Sequence, residues 1–146
     1  MLPAVLILNG PNLNLLGSRE PSVYGSLSFE EYWKELKKDF TDFEIGYVQS
    51  NDESALVTAI QDARSQYQGL IINPAAYTHT SIAIRDAIAA VGILTIEVHI
   101  SDIKKREEFR RHSMISEVCW CTLSGMGLKG YHLAMERMRE YFRLGV

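Results

Sequence analysis

Short apolar runs alternate five times with amphipathic stretches along this 146-residue chain, and that rhythm leaves few folds open to it. Strands are expected at residues 4–8, 44–49, 69–72, 94–99 and 118–123. Between the first two, Phe29, Tyr32, Trp33, Leu36 and Phe40 recur at helical spacing, and Ser28 with Glu31 three positions on reads as a capping box. The second helix presents Ala55, Leu56, Ala59, Ile60 and Ala63 on one face, with Ser50 and Glu53 as a second candidate box. A third helix is expected over 81–90 and a last over 128–142, the latter striped by Tyr131, Met135, Met138 and Phe142 as core residues. β-α units in series predict an α/β fold, an open five-stranded parallel sheet with helices on both faces and the flavodoxin-like strand order 2-1-3-4-5. The length suits one domain, residues 1–146, around a single core, and no linker or internal repeat divides it.

Charge narrows the partners. Acidic and basic residues are interspersed and the formal net charge is −3, which argues against a nucleic-acid surface. The basic cluster Lys104-Lys105-Arg106 and Arg110-Arg111-His112 is interrupted by Glu107 and Glu108, and composition alone reads it as a solvated helical face. The apolar run at 4–8 follows no basic residues and ends in Asn9-Gly10-Pro11, so it is expected to be neither a signal peptide nor a membrane span. Cys119 and Cys121 flank Trp120 in an expected strand, which would point both thiols to one face as core residues, without a disulfide framework or zinc site. A cytoplasmic protein is the expectation.

Residues 9–25 are much longer than the 4–6 residues or so of an ordinary connection, which marks a lid or binding loop, and residues from about 16 to 24 are expected to be mobile without ligand and to order over it. The loop carries Arg19 and, five positions on, Tyr24, a cation near an ionisable phenol. In the expected topology ligands bind beyond the carboxyl ends of the strands, near the switch point between strands 1 and 3. That end gathers the long loop, the segment Asn73-Pro-Ala-Ala-Tyr-Thr-His-Thr-Ser81 after strand 3, and Glu97-Val-His-Ile-Ser101 at the end of strand 4. Singly, His79 or His99 is more often a hydrogen-bonded structural residue than a catalyst, and Asn9 or Asn12 can simply serve a turn. Converging together, they point to a site.

Several chemistries fit poorly. No G-x-G-x-x-G or Walker lysine motif follows strand 1, which disfavours a phosphate loop. His79 and His99 lack a supporting carboxylate-histidine spacing for a metal, and none of the lysines needed for a Schiff base falls in the three segments. General acid–base catalysis remains. A free tyrosine, pKa about 10, is ionised in only about one molecule in a thousand at pH 7, and Arg19 would favour its phenolate. His99, with an ordinary pKa near about 6.5, suits delivery of a proton to a leaving oxygen. A base, an acid and amide donors fit proton abstraction beside a carbonyl followed by loss of water. The competing expectation is a non-catalytic flavodoxin-like module that binds a small anion, which would share the arginines but need no tyrosine base.

The stretches Asn9-Gly-Pro-Asn-Leu-Asn-Leu-Leu-Gly-Ser-Arg-Glu, Tyr24-Gly25, Gln49-Ser-Asn51, the Asn73 to Ser81 segment, Arg85-Asp86-Ala87, Glu97-Val-His-Ile-Ser101, Arg106-Glu-Glu-Phe-Arg110 and Gly130-Tyr131 together resemble the type II 3-dehydroquinate dehydratases, over nearly the whole chain. The resemblance implies reversible anti elimination of water from 3-dehydroquinate to 3-dehydroshikimate through an enolate, in the shikimate pathway of aromatic amino-acid biosynthesis, without metal or organic cofactor. It also implies a flavodoxin-like fold and a homododecamer built as a tetramer of trimers. By the same resemblance Tyr24 is the base that removes the C2 proton, and Arg19 keeps it ionisable, with Arg106 adding to that field. His99 protonates the departing C1 hydroxyl, Glu97 orients it, and Asn12 positions the water that stabilises the enolate. Asn73 binds near the reaction centre, the amides of Ile100 and Ser101 take the substrate carboxylate, and His79 and Arg110 hold ring hydroxyls. Asp86 is expected to reach the site of a neighbouring subunit; read without the family, it is a helix-surface charge paired with Arg85. Ala75 stands where the family often has glycine, Asp52 where histidine is common and Met114 where an aromatic is. Ala75 is expected to tighten its loop by one methyl, and Asp52 to bear on subunit packing or the rim of the site.

Overall fold

Residues 1–18 and 26–144 are described by the structure, a computed structural model, in which five strands form one sheet of order β2-β1-β3-β4-β5. The strands are β1 (Ala4–Asn9), β2 (Glu44–Gln49), β3 (Gly69–Asn73), β4 (Leu94–His99) and β5 (Cys121–Ser124), and every pairing is parallel. β1 and β3 are buried along their whole length, because strands covered on both faces need unbroken apolar runs. The edge strand β2 is instead half-buried or exposed except at Ile45. The expected order and its two-sided covering are therefore observed.

Helices α1 (Phe29–Asp39) and α4 (Lys129–Leu144) cover one face, where Val5, Ile7, Ile71, Ile96 and Val98 pack with Leu36, Phe40, Tyr131, Met135 and Met138. Helices α2 (Glu53–Gln66) and α3 (Ile82–Val91) cover the other, where Leu6, Leu8, Leu70 and Ile72 meet Leu56, Ile60, Ile84 and Ile88. Truncating any one of these fully buried side chains to alanine costs about 2–5 kcal/mol. The chain leaves β1 toward one face and β3 toward the other, which opens a crevice between the two strand ends. Gly10 stands where the loops after β1 and β3 meet, and a Cβ there would collide with the carbonyl of Pro74. Its N–H donates to Asn73 O at 2.8 Å and ties the two loops together.

Local signals were honoured unevenly. The Ser28–Glu31 capping box forms in full at the start of α1. The second box does not: Asp52 caps α2 by accepting from Ser54 N–H, while Ser50 Oγ accepts from the Asp52 N–H one turn earlier. Ala55 faces solvent and Val57 packs in its stead. β5 begins at Cys121, three residues later than expected, because residues Ser116–Val118 turn as a 3-10 helix. Cys119 therefore lies outside the strand and packs against the α2–α3 side, whereas Cys121 packs against the α1–α4 side. The two thiols do not share a face, and burial pushes that of Cys119 far above its ordinary range. The basic stretch is not a helical face either; it folds as two short 3-10 turns, Ile103–Lys105 and Glu108–Arg110. No helix among the described residues is long and apolar enough to cross a membrane.

Candidate active site

A cleft opens at the carboxyl ends of β1, β3 and β4, lined by Asn12, Asn73, His79, His99, Ile100, Ser101, Arg106 and Arg110. Eight expected site residues thus meet, delivered by the loop after β1, the turn after β3, the end of β4 and the segment that follows it. Glu97 lies directly behind His99. Asp86 is exposed on α3 and takes no part in this chain's cleft. Its expected surface pairing is also not formed, since Arg85 turns to Met114 O at 2.8 Å and Glu117 Oε2 at 3.4 Å. Arg19 and Tyr24, and with them most of the expected mobile loop, lie outside the described residues.

The Asn12 backbone is left-handed, at φ 70°, a region in which asparagine is among the better tolerated side chains. Its N–H donates to Asn51 Oδ1 at 3.0 Å, and Gln49 Nε2 donates to the same oxygen and to Gly10 O. The turn is thereby fixed from β2. Asn73 is fixed from α4: its Nδ2 donates to Tyr131 Oη at 3.0 Å, and that hydroxyl donates to Asn9 Oδ1 at 2.8 Å. Asn73 Oδ1 accepts from Ala75 N–H, leaving the second hydrogen of its amide for the cleft. Tyr131 was read from its spacing only as a core residue; its hydroxyl gives it this second task. Burial holds its phenol far above the ordinary range, so it stays protonated and can donate.

Glu97 is fully buried and His99 is 5 % exposed. Burial would raise the Glu97 carboxyl, but hydrogen bonds from His99, Ser113 and Thr122 outweigh it and hold the group below its usual value. An ionised carboxylate only accepts, so His99 Nε2 carries the hydrogen of the bond between them. Nδ1 is the ring nitrogen left for the cleft. Ser113 and Thr122 were absent from the sequence reading, and only their distance-independent meeting on Glu97 in three dimensions reveals them.

His79 Nδ1–H donates to His112 O at 2.8 Å, which leaves its Nε2 as an acceptor. Desolvation, with the nearby charges of His99 and Arg110, pushes its pKa down and favours the neutral ring. Arg106 Nη1 donates to Ser101 Oγ at 3.0 Å. Glu107 sits between the two arginines, 3.5 Å from Arg106 Nε and 3.2 Å from Arg110 Nε, and spaces them. The exit of β4 is clamped as well, because Gly125 N–H and Gly127 N–H donate to His99 O and Ile100 O. Such a cleft, with two guanidinium groups, a neutral imidazole acceptor, an amide and a carboxylate-backed imidazole, can bind a small hydroxylated carboxylate and pass a proton to it. No three or more His, Cys, Asp or Glu side chains among the described residues converge as ligands for a metal ion.

The Dehydroquinase class II family matches residues 3–139 of the chain. The 3-dehydroquinate dehydratase of Sulfurovum sp. (strain NBC37-1) is 51 % identical over 138 residues, 93 % of this chain and 85 % of that protein. That of Bacillus pumilus (strain SAFR-032) is 46 % identical over 136 residues, 92 % of each. Among solved structures, a type II dehydroquinase from Butyrivibrio crossotus DSM 2876 superposes with a TM-score of 0.91 at 43 % identity, covering 94 % of this chain and 98 % of its own. With the sheet order, the cleft and these relatives in agreement, the chain belongs to the class II dehydroquinase family.

Proposed function

We propose that the protein is a 3-dehydroquinate dehydratase that eliminates water from 3-dehydroquinate to give 3-dehydroshikimate, reversibly and with anti geometry, in the shikimate pathway. The observation that carries the reading is the Glu97-held His99 at the floor of a cleft that also presents Arg106, Arg110 and His79. The Tyr24 phenolate removes the C2 proton, and the electrons of that C–H bond move into an enolate on the C3 carbonyl. Arg19 and Arg106 stabilise the phenolate and the developing negative charge. Collapse of the enolate forms the C1–C2 double bond and breaks the C1–O bond, while His99 delivers a proton to the departing hydroxyl so that it leaves as water. Tyr24 ends protonated and His99 deprotonated, and exchange with solvent restores both.

Binding is divided among the remaining residues. Asn12 positions the water that stabilises the enolate oxygen, and Asn73 donates near the reaction centre. The amides of Ile100 and Ser101 take the carboxylate, and His79 Nε2 and Arg110 hold ring hydroxyls. Asp86 acts on a neighbouring copy within a dodecamer, and no metal or organic cofactor is used. The reading includes a cytoplasmic location, supported by two cysteines that stay unpaired.

The test is the growth of the conjugated enone's ultraviolet absorbance when purified protein meets 3-dehydroquinate in the presence of a strong chelator. A protein-dependent rise that survives chelation is expected. Folded protein that binds the substrate without any rise would overturn the dehydratase reading in favour of an anion-binding module.

A further inference from the structure

Two hydroxyl groups outside the expected site close on the carboxylate that holds the acid. Ser113 Oγ–H donates to Glu97 Oε2 at 2.7 Å, and Thr122 Oγ1–H donates to Oε1 at 3.0 Å. Ser113 Oγ also accepts the backbone N–H groups of Ile115 and Ser116, both at 3.2 Å, which occupies its lone pairs and aims its hydrogen at Glu97. The residues on either side of it reach the turn after β3: His112 O accepts from His79 Nδ1, and Met114 N–H donates to Thr78 O at 2.8 Å. Three consecutive residues therefore touch both the His79 ring and the carboxylate behind His99.

We propose that Ser113, together with Thr122, is a positioning residue for the dehydration: the two hydroxyls fix Glu97, and through it the direction and proton affinity of His99. The inference rests on the dehydratase reading. A buried carboxylate with His99 as its one donor would draw the shared proton toward itself and could rotate about its terminal bond. Two further donors, one on each oxygen, spread its charge and remove that freedom. The shared proton then stays on Nε2, and Nδ1, the ring nitrogen that faces the cleft, is held in place to deliver its own proton to the leaving hydroxyl. The titratable groups that face this pair are His79 from the turn after β3, itself beside Arg110, and the Cys119 thiol ahead of β5.

Ser113→Ala and Thr122→Val are each expected to lower kcat about 10-fold or more while KM changes about two-fold at most, on the scale of one hydrogen bond to a charged group. The basic limb of the kcat profile should move to higher pH, because a carboxylate short of donors makes the pair hold its shared proton longer. Ser113→Thr, which keeps the hydroxyl, should recover most of the rate. Should Ser113→Ala fail to fold for want of an acceptor for Ile115 and Ser116, Thr122→Val decides alone, since it leaves that turn intact. An active wild type with unchanged kcat and unchanged pH limb in the variants would overturn the inference. A wild type without turnover would overturn the dehydratase reading instead, and the His99 Nε2–H proton resonance, compared between wild type and Thr122→Val without substrate, would still test the clamp. That resonance is expected to shift, and an unmoved one would sink the clamp whatever the reaction.

Discussion

Ala75 has φ 54°, inside the left-handed region, where a Cβ costs about 1–2 kcal/mol. The strain is held in place by its N–H, which donates to Asn73 Oδ1 at 3.1 Å as the chain enters a 3-10 turn beside the cleft. Glycine would remove the strain but gain freedom in the unfolded chain, so Ala75→Gly is expected to stabilise the protein by a net of about 0.5–1 kcal/mol. Urea unfolding checks this as a higher midpoint at unchanged slope, and a lower midpoint would count against the strain. The sequence made the unusual residue visible but suggested only a methyl to accommodate; the backbone angle that explains it has no sequence signature. The same limit applies to Ser113, Thr122 and the Tyr131 hydroxyl. Each is an ordinary residue type whose importance comes from meeting Glu97 or Asn73 across long stretches of chain.

At the level of elements, apolar periodicity was sufficient for the four helices and five strands, because burial selects for spacing over many residues at once, and the sheet order came from what is common for β-α units in series. Caps and ends depend on single hydrogen bonds among competing local oxygens, and there the pattern was ambiguous. Ser50 and Glu53 were expected to box the start of α2, and the structure caps it with Asp52 instead. Asp52→Ala should therefore destabilise the protein by about 1 kcal/mol, Asp52→Asn by much less, and neither should change kcat. Thermal or urea unfolding of the two variants measures the difference, and equal losses would show that charge rather than the cap is at work. The aromatic contacts between α1, β2 and α4 carry a second consequence. Burial raises Tyr32 to about 12 and also pushes Tyr47 and Tyr131 upward. The folded state then keeps protons that the unfolded chain releases near pH 10, so stability must fall as pH rises from about 10 toward 12. A spectrophotometric titration should leave these three of the seven tyrosines protonated until the protein unfolds. All seven ionising together near pH 10 in folded protein would contradict that packing.

The whole molecule raises the question of how Asp86 can act at all. It is exposed on α3, and the cleft of its own chain is lined without it. If it serves catalysis, it does so in a second copy, and each working site is then built from two chains. Closed symmetric assembly makes this economical, because one interface repeats the same donation at every site. On the proposed mechanism Tyr24→Phe removes the base from its own site and Asp86→Ala the carboxylate donated to a neighbour's, so each variant alone should lose about 100-fold or more in kcat. Hybrid assemblies from co-expression should not. A site is intact when its own chain carries the Asp86 change and its neighbour the Tyr24 change, which random pairing gives at roughly a quarter of sites. Activity recovered to about that fraction of wild type would establish the shared site. An Asp86→Ala variant as active as wild type would confine Asp86 to the helix surface and make each cleft complete within one chain.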